Sequence, residues 1–167
     1  MQTRQATADD AGDVRRVAQE AWEAAYDFLP EKEREAAMRE RYATDRLERV
    51  IADDEDEFVV AVDDGEVVGF VYADPVDPAK RVGDVDLRAI HVHPDHWESD
   101  VRTAMLDHLE QVLGDRGFTQ LEVQVFADAE DEQTFFENRG FERIEDRVAD
   151  LLAGDTEPVY RYYHEFR

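Results

Sequence analysis

Residues 93–106, HPDHWESDVRTAML, follow an apolar segment typical of a strand and precede one with helical spacing. A helix start presents backbone N–H groups that no residue of the helix accepts, and many folds bind phosphate there. Glycine usually lets the backbone approach such a ligand, but this turn has none, and Glu98 and Asp100 add negative charge. The turn predicts either a weak anion site assisted by Arg102, or a helix start that Glu98, Ser99 and Asp100 merely cap.

Three histidines surround the same turn. His91 and His93 are two residues apart on the expected strand and would share a face, while His96 follows Pro94 in the turn. No acidic residue or cysteine at a suitable spacing completes a recognisable metal site. We therefore expect solvated or hydrogen-bonded histidines and no metal.

The elements that must position these residues follow from hydrophobic periodicity. Val14, Val17, Ala18, Ala21 and Trp22 recur at helical spacing, and Asp63-Asp64-Gly65 joins two β-rich runs as a hairpin. We predict helices at about 8–25, 30–51, 101–114 and 130–140, and strands at about 3–6, 58–62, 66–73, 84–92, 121–127, 142–149 and 158–166. This alternation predicts an α/β fold with a mixed sheet and helices on both faces. Since no Pro/Gly/Ser-rich linker divides the chain, we expect a single domain over residues 1–167.

The composition is strongly acidic. The 167 residues include 43 Asp and Glu against 19 Lys and Arg, which gives a formal net charge of −24. Carboxylates spread along the chain, with lysine almost eliminated, are typical of proteins from a salt-loaded halophile cytoplasm; the alternative is an acidic face that attracts a cationic partner. Nucleic acid is disfavoured as a partner by the charge. The absence of cysteine excludes disulfides and thiolate catalysis. With no long apolar run and no leader pattern, we expect a cytoplasmic protein that does not enter a membrane.

Four segments, AWEAAY, VVGFVYA, DLRAIHVHPDH and FFENRGFERI, occur in an order that resembles the GCN5-related N-acetyltransferase (GNAT) family over nearly the whole chain. The resemblance implies a mostly antiparallel sheet of about seven strands with about four helices. It also implies that acetyl-coenzyme A (acetyl-CoA) lies between the fourth and fifth strands. Its pantetheine would pair with Ile90, His91 and Val92, and its pyrophosphate would lie on Trp97, Glu98, Ser99, Asp100, Val101 and Arg102.

The sequence departs from the family pattern at two places. In the pyrophosphate loop, Trp97, Asp100 and Arg102 replace the usual Arg or Gln and the small residues. In FFENRGF, Phe136 stands where the family often has the tyrosine that protonates the departing thiolate. Tyr72 or water could substitute as the acid.

The resemblance also implies candidate residues for the reaction. Asp86 and Glu122 are candidates for the base that takes the proton of the amine, and the amide of Val92 or its neighbour would polarise the acetyl carbonyl. Trp22, Tyr26 and Phe28 would form a wall of the acceptor pocket. We expect acetyl transfer to a primary amine, on a small molecule or a peptide, by direct attack in a ternary complex. The alternative is a non-catalytic member of the fold that binds a ligand or protein partner in the cleft. Dimers are common in the family, so a homodimer is possible.

Overall fold

A computed structural model describes residues 1–75 and 84–166 of the chain. The elements, in chain order, are β1 (Gln2–Gln5), α1 (Ala11–Ala25), α2 (Glu31–Glu40), α3 (Thr44–Ala52), β2 (Glu57–Asp63), β3 (Glu66–Pro75), β4 (Asp84–Val92), α4 (Val101–Asp115), β5 (Gln120–Phe126), α5 (Glu130–Asn138), β6 (Glu142–Asp150) and β7 (Thr156–Glu165). Short 3₁₀ turns occupy Ala8–Asp10 and Pro94–His96.

The strands form one seven-stranded sheet in the order β1-β2-β3-β4-β5-β7-β6. All neighbours are antiparallel except β4 and β5, which run parallel with α4 as their crossover. The predicted hairpin between β2 and β3 is confirmed: Asp64 and Gly65 both adopt positive φ, at 51° and 76°, as a type I′ turn requires. The expected mixed, mostly antiparallel sheet is therefore present.

Helices cover both faces of the sheet, as the alternation predicted. Gly69 and Phe70 are neighbours on β3, so their Cβ directions point to opposite faces. The Phe70 ring lies 5.9 Å from that of Tyr42, which follows α2. A Cβ on Gly69 would instead meet Met105 of α4 at 3.0 Å. The α1–α3 helices and α4 therefore lie on opposite sides, with the hydrophobic core on each side of the strands.

The predicted second helix is wrong in its extent, because it consists of two helices. The helix is interrupted between Glu40 and Thr44, where Ala43 adopts an extended conformation with ψ of 137°. The break lets Tyr42 and Leu47 both be buried, which a single straight helix with this spacing would not allow. Five α-helices therefore form in the described residues, where about four were expected.

The first helix begins later than predicted, at Ala11, because residues 8–10 form the 3₁₀ turn. The buried Asp10 carboxylate accepts from the Thr7 backbone N–H at 2.8 Å and from both terminal nitrogens of Arg4 at 2.7 and 2.9 Å. These bonds hold the start of α1 against β1. Among the described helices, none has the length and apolar composition needed to cross a membrane.

Candidate functional site

The parallel pair β4 and β5 separates part-way along its length. The two strands are paired only from Asp84↔Gln120 to Leu87↔Val123. Both strands continue beyond this point, to Val92 and Phe126, without pairing to each other. Because the register of β4 against β3 shifts between Leu87 and Ala89, Arg88 is an extra residue on the β4 side. The result is a V-shaped opening whose β4 edge has backbone groups available to a ligand.

A cavity of about 670 Å³ lies at this opening. Its walls come from α1, the α2–α3 connection, α3, β2, β3, β4, β5, α5 and the β6–β7 hairpin. Of the residues predicted from sequence, Trp22, Tyr26, Asp86, Ile90, His91 and Glu122 line it. Phe28, Val92 and residues 97–102 are not among the described lining residues. The predicted acceptor wall and base candidates therefore share one space, whereas the predicted pyrophosphate loop lies outside it.

Tyr26 lies between the two separated arms of the V. Its buried ring lies 5.9 Å from His91 on β4 and 5.1 Å from Phe126 on β5, so it contacts both separated strands. Trp22 packs edge-on at 4.9 Å, and Phe28 lies behind, 5.9 Å from Tyr26 and 5.7 Å from Phe126. Phe28 thus supports the wall that Tyr26 and Phe126 form.

Glu132 on α5 is a lining residue that the sequence did not indicate. Burial raises its pKa to about 7, although the neighbouring Tyr26 hydroxyl and the charge of Arg102 act to lower it. Burial and the Glu132 carboxylate also raise the pKa of Tyr26 well above its usual value, which keeps the phenol protonated. One signal for Glu132 was present in the sequence: it lies one helical turn before Phe136 of the motif FFENRGF.

The imidazole of His91, which lines the opening, is neutral. His91 is buried between the rings of Trp22, Tyr26 and Phe70, at 5.6–6.2 Å between centroids. Burial, with a further contribution from the positive charge of Arg102, lowers its pKa to about 4. A cation here would lose its hydration without gaining a carboxylate, so the ring serves as packing and as an uncharged hydrogen-bonding group.

Asp86 and Glu122 are direct neighbours in the β4–β5 register. The buried Glu122 carboxylate accepts from Arg161 at 2.7 Å, and Arg161 also lies 3.6 Å from Glu145. Asp86 is 3.6 Å from Arg88, which donates to Asp74 at 2.5 Å. Glu122 is thus held by a buried ion pair, while Asp86 faces the cavity from a less buried position.

The turn before α4 is tied to the end of β4. The Trp97 indole N–H donates to the Val92 carbonyl at 2.7 Å, and the Ser99 hydroxyl bonds the His96 carbonyl. Val101 N–H donates to the Ser99 hydroxyl at 3.4 Å, which caps the helix. Glu98 and Asp100 are exposed at this helix start.

Most of the chain is similar to a known protein family. The profile of the acetyltransferase (GNAT) family matches residues 15–141, which begin within α1 and include β2 to β5 and α5. The chain belongs to the GNAT family. No curated protein sequence matches the chain significantly.

Solved structures of GNAT proteins share the fold over essentially the whole chain. The PaiA N-acetyltransferase of Thermoplasma acidophilum, solved in complex with coenzyme A, superposes with a TM-score of 0.83 at 18% identity, covering 99% of this chain and 98% of that one. A GCN5-related N-acetyltransferase from Rhodopseudomonas palustris gives 0.80 at 21% identity, with 99% and 95% covered. Aminoglycoside 6′-acetyltransferase type Ii gives 0.70 at 17% identity, with 99% and 97% covered. At these identities the similarity establishes the fold.

Phe136 and Arg102 are two positions at which this GNAT chain departs from the sequence pattern of the family. Phe136 is buried and packs on Phe141 at 5.0 Å, so the family's tyrosine position is occupied by core packing. At the α4 start, the guanidinium of Arg102 stacks 4.2 Å from the centre of the Phe135 ring and lies 3.4 Å from Asp131. Arg102 therefore bridges α4 to α5.

The histidine cluster shows no metal geometry. The rings of His93 and His96 are 6.4 Å apart, and His93 accepts from the Asp95 N–H at 3.2 Å, while His91 faces the aromatic rings of α1. Among the described residues, no group of three His, Asp or Glu side chains could hold a metal ion.

Proposed function

We propose that this chain transfers the acetyl group of acetyl-CoA to a primary amine in the 670 Å³ cavity. The observation that carries the proposal is the separation of β4 from β5 at this cavity. Unpaired strand edges bind extended ligands through main-chain hydrogen bonds, so the amides of a pantetheine arm can pair with Ile90, His91 and Val92. The coenzyme A complex of a protein with the same fold supports this assignment.

The pyrophosphate belongs at the start of α4. A fifteen-residue helix begins there at Val101 and offers N–H donors, and Arg102 lies in its first turn. Glu98 and Asp100 oppose an anion at this place, and mobile salt reduces that repulsion because both side chains are exposed. We therefore expect weak coenzyme A binding that depends on ionic strength.

The reaction joins the amine nitrogen to the thioester carbonyl carbon and breaks the C–S bond. Asp86, which lines the cavity, takes the proton of the amine through a water molecule, while Glu122 keeps Arg161 in place through its 2.7 Å ion pair. Since the chain has no cysteine to carry an acyl group, transfer is direct within a ternary complex.

The departing thiolate takes a proton from Glu132. Its pKa of about 7 leaves a substantial protonated fraction at neutral pH, whereas burial raises the pKa of Tyr72 to about 12 and makes it a poorer donor. Glu132 lies one turn before Phe136, so both side chains are on the same side of α5, and both line the cavity. Asp86 then releases the proton of the amine to solvent, and Glu132 takes up a proton from solvent.

A non-catalytic binding protein is the second candidate. The negative charge of Glu98 and Asp100 and the apolar Phe136 favour it, because each weakens a feature that catalysis uses. In that case the cavity would hold a ligand or a segment of a partner without acetyl transfer.

Calorimetric titration of acetyl-CoA and coenzyme A in molar KCl, followed by thiol release with a panel of amines, tests the proposal. The absence of cysteine removes any protein thiol from the second assay. Binding with amine-dependent thiol release is expected. Absence of binding at millimolar ligand, with a folded protein, would refute acetyl transfer and favour the binding role.

A further inference from the structure

Two arginines on the α2–α3 side of the cavity are the starting point. Arg41 ends α2 and Arg46 lies in the first turn of α3, and both side chains are exposed and line the cavity. The charge of Arg41 acts on the buried Tyr42 hydroxyl, while the pKa of Tyr72 is influenced more by Asp56 and Asp74 than by Arg46. Two guanidinium groups thus face the same space as two neutral phenols.

The other arginines of the cavity already have acidic partners. Arg88, Arg147 and Arg161 lie 2.5, 3.9 and 2.7 Å from Asp74, Glu145 and Glu122. In the part of the chain that the structure describes, neither Arg41 nor Arg46 has a carboxylate within 4.0 Å. For a chain with a formal net charge of −24, two cavity arginines with no carboxylate within 4.0 Å among residues 1–75 and 84–166 are a local exception. Guanidinium groups bind carboxylate and phosphate oxygens well, because each presents several donors in a fixed plane.

The position of the two arginines separates them from the expected pyrophosphate site at the start of α4. α2 and α3 lie on the face of the sheet that holds Phe70, whereas α4 and Arg102 lie on the face towards which Gly69 points. Tyr26 belongs to the first face and lies beside Glu132 of α5, and the end of α5 is tied to α4 by the 2.9 Å Arg139–Glu110 pair. The cavity at the V therefore lies between the two faces of the sheet. A ligand bound by Arg41 and Arg46 would lie on the side opposite to α4.

We propose that Arg41 and Arg46 bind an oxyanion on the amine acceptor, so that the acceptor is a primary amine bearing a carboxylate or a phosphate. This inference rests on the proposed acetyl transfer. The negatively charged chain would otherwise repel such a compound, and the arginine pair supplies the local attraction that admits it. Polyamines and other purely cationic amines lack the group that these arginines bind and are poorer acceptors.

Matched amine pairs test the inference. γ-Aminobutyrate is compared with n-butylamine, and O-phosphoethanolamine with ethanolamine, in the lowest KCl that keeps the protein folded. We expect kcat/KM to favour one or both oxyanionic amines by about tenfold or more, through KM. The R41Q/R46Q double variant should bring that preference close to one, while the dissociation constant of coenzyme A stays unchanged. The two pairs distinguish a carboxylate from a phosphate requirement.

R49Q is the matched control. Arg49 lies one turn after Arg46 on α3, is exposed, pairs with Asp45 at 3.7 Å and is not a described lining residue. It should leave the preference intact. Equal use of charged and neutral amines by the unmodified protein, or an equal loss in R49Q, would overturn the inference, as would weaker coenzyme A binding in the double variant.

Calorimetry with the oxyanionic amines on the coenzyme A complex covers the case without turnover. If the oxyanionic amines bind and R41Q/R46Q weakens that binding about tenfold, the arginine site is supported even when no thiol is released. The missing thiol release would then count against acetyl transfer but not against the arginine site. No detectable binding of either oxyanionic amine, with coenzyme A bound, overturns the arginine site and leaves acetyl transfer standing.

Discussion

Replacing Glu132 by Gln gives a protein whose stability responds less to pH. Burial raises the pKa of this carboxyl from 4.5 to about 7, so the folded state holds its proton more tightly than the unfolded state does. The protonated carboxyl contributes fully to the free energy of unfolding below its ordinary pKa of 4.5, and this contribution is lost as the pH rises through about 7. Since a tenfold change in proton affinity equals about 1.4 kcal/mol, the loss amounts to at most about 3 kcal/mol.

The glutamine side chain of the variant cannot ionise, and its carbonyl oxygen can still accept the hydrogen bond of Tyr26. The variant and the original protein should therefore have similar titration-linked stability at about pH 4, whereas above about pH 8 the variant should be more stable by up to about 3 kcal/mol. For a chain of this size that difference raises the melting temperature by about 5–10 °C. The burial of Glu132 is what produces the effect, so it should persist in high salt.

Denaturant unfolding over this pH range, at one fixed KCl concentration, measures the difference. Glu130→Gln is the matched control, because Glu130 lies on the same helix but is exposed. Its difference from the original protein should not depend on pH in this way. A constant difference between Glu132→Gln and the original protein across the range would refute the burial of an ionisable group at this position.

Three further outcomes are expected. Glu132→Gln should lower kcat by about 10²-fold or more and remove an inflection near neutral pH from the kcat profile, as measured by thiol release; an unchanged profile would exclude proton transfer by Glu132. Replacing Glu98 and Asp100 with Gly should tighten coenzyme A binding in calorimetry, and Gln and Asn at these positions separate the loss of charge from the close approach that Gly allows; equal affinity in all three proteins would contradict an anion site at α4. Lowering KCl from molar to millimolar should lower the melting temperature substantially, given the formal net charge of −24, and an unchanged melting curve would contradict the halophile interpretation.

Local patterns predicted most of the elements. The alternation in LEVQVFA indicated β5, which spans Gln120–Phe126, and the helical spacing of Val14, Val17, Ala18, Ala21 and Trp22 indicated α1, where all five residues are buried. The interruption between α2 and α3 was missed, because residues 41–43 include no Gly or Pro that would indicate the end of a helix. Only the packing of Tyr42 and Leu47 against the core accounts for two helices there.

The candidate site was predicted less completely. The resemblance to the family directed attention to β4 and to Tyr26, and both contribute to the cavity. Phe28 and Tyr26 could not be ranked by sequence, since both are aromatic residues after the helical stripe, and only the packing around Phe126 distinguishes lining from support. Glu132 resembled any charged residue in an acidic helix start.

The sequence by itself determined the acidity of the chain, the order of its helices and strands, and the membership in a family that the match to residues 15–141 confirms. These properties depend on composition and on neighbours within a few positions, which periodicity records. The tertiary structure decided where β4 leaves β5, which arginines line the cavity with no carboxylate nearby in the described part of the chain, and how tightly Glu132 holds its proton. Desolvation and charge pairing depend on groups from distant parts of the chain, such as Tyr26 beside Glu132, and no local pattern encodes that distance.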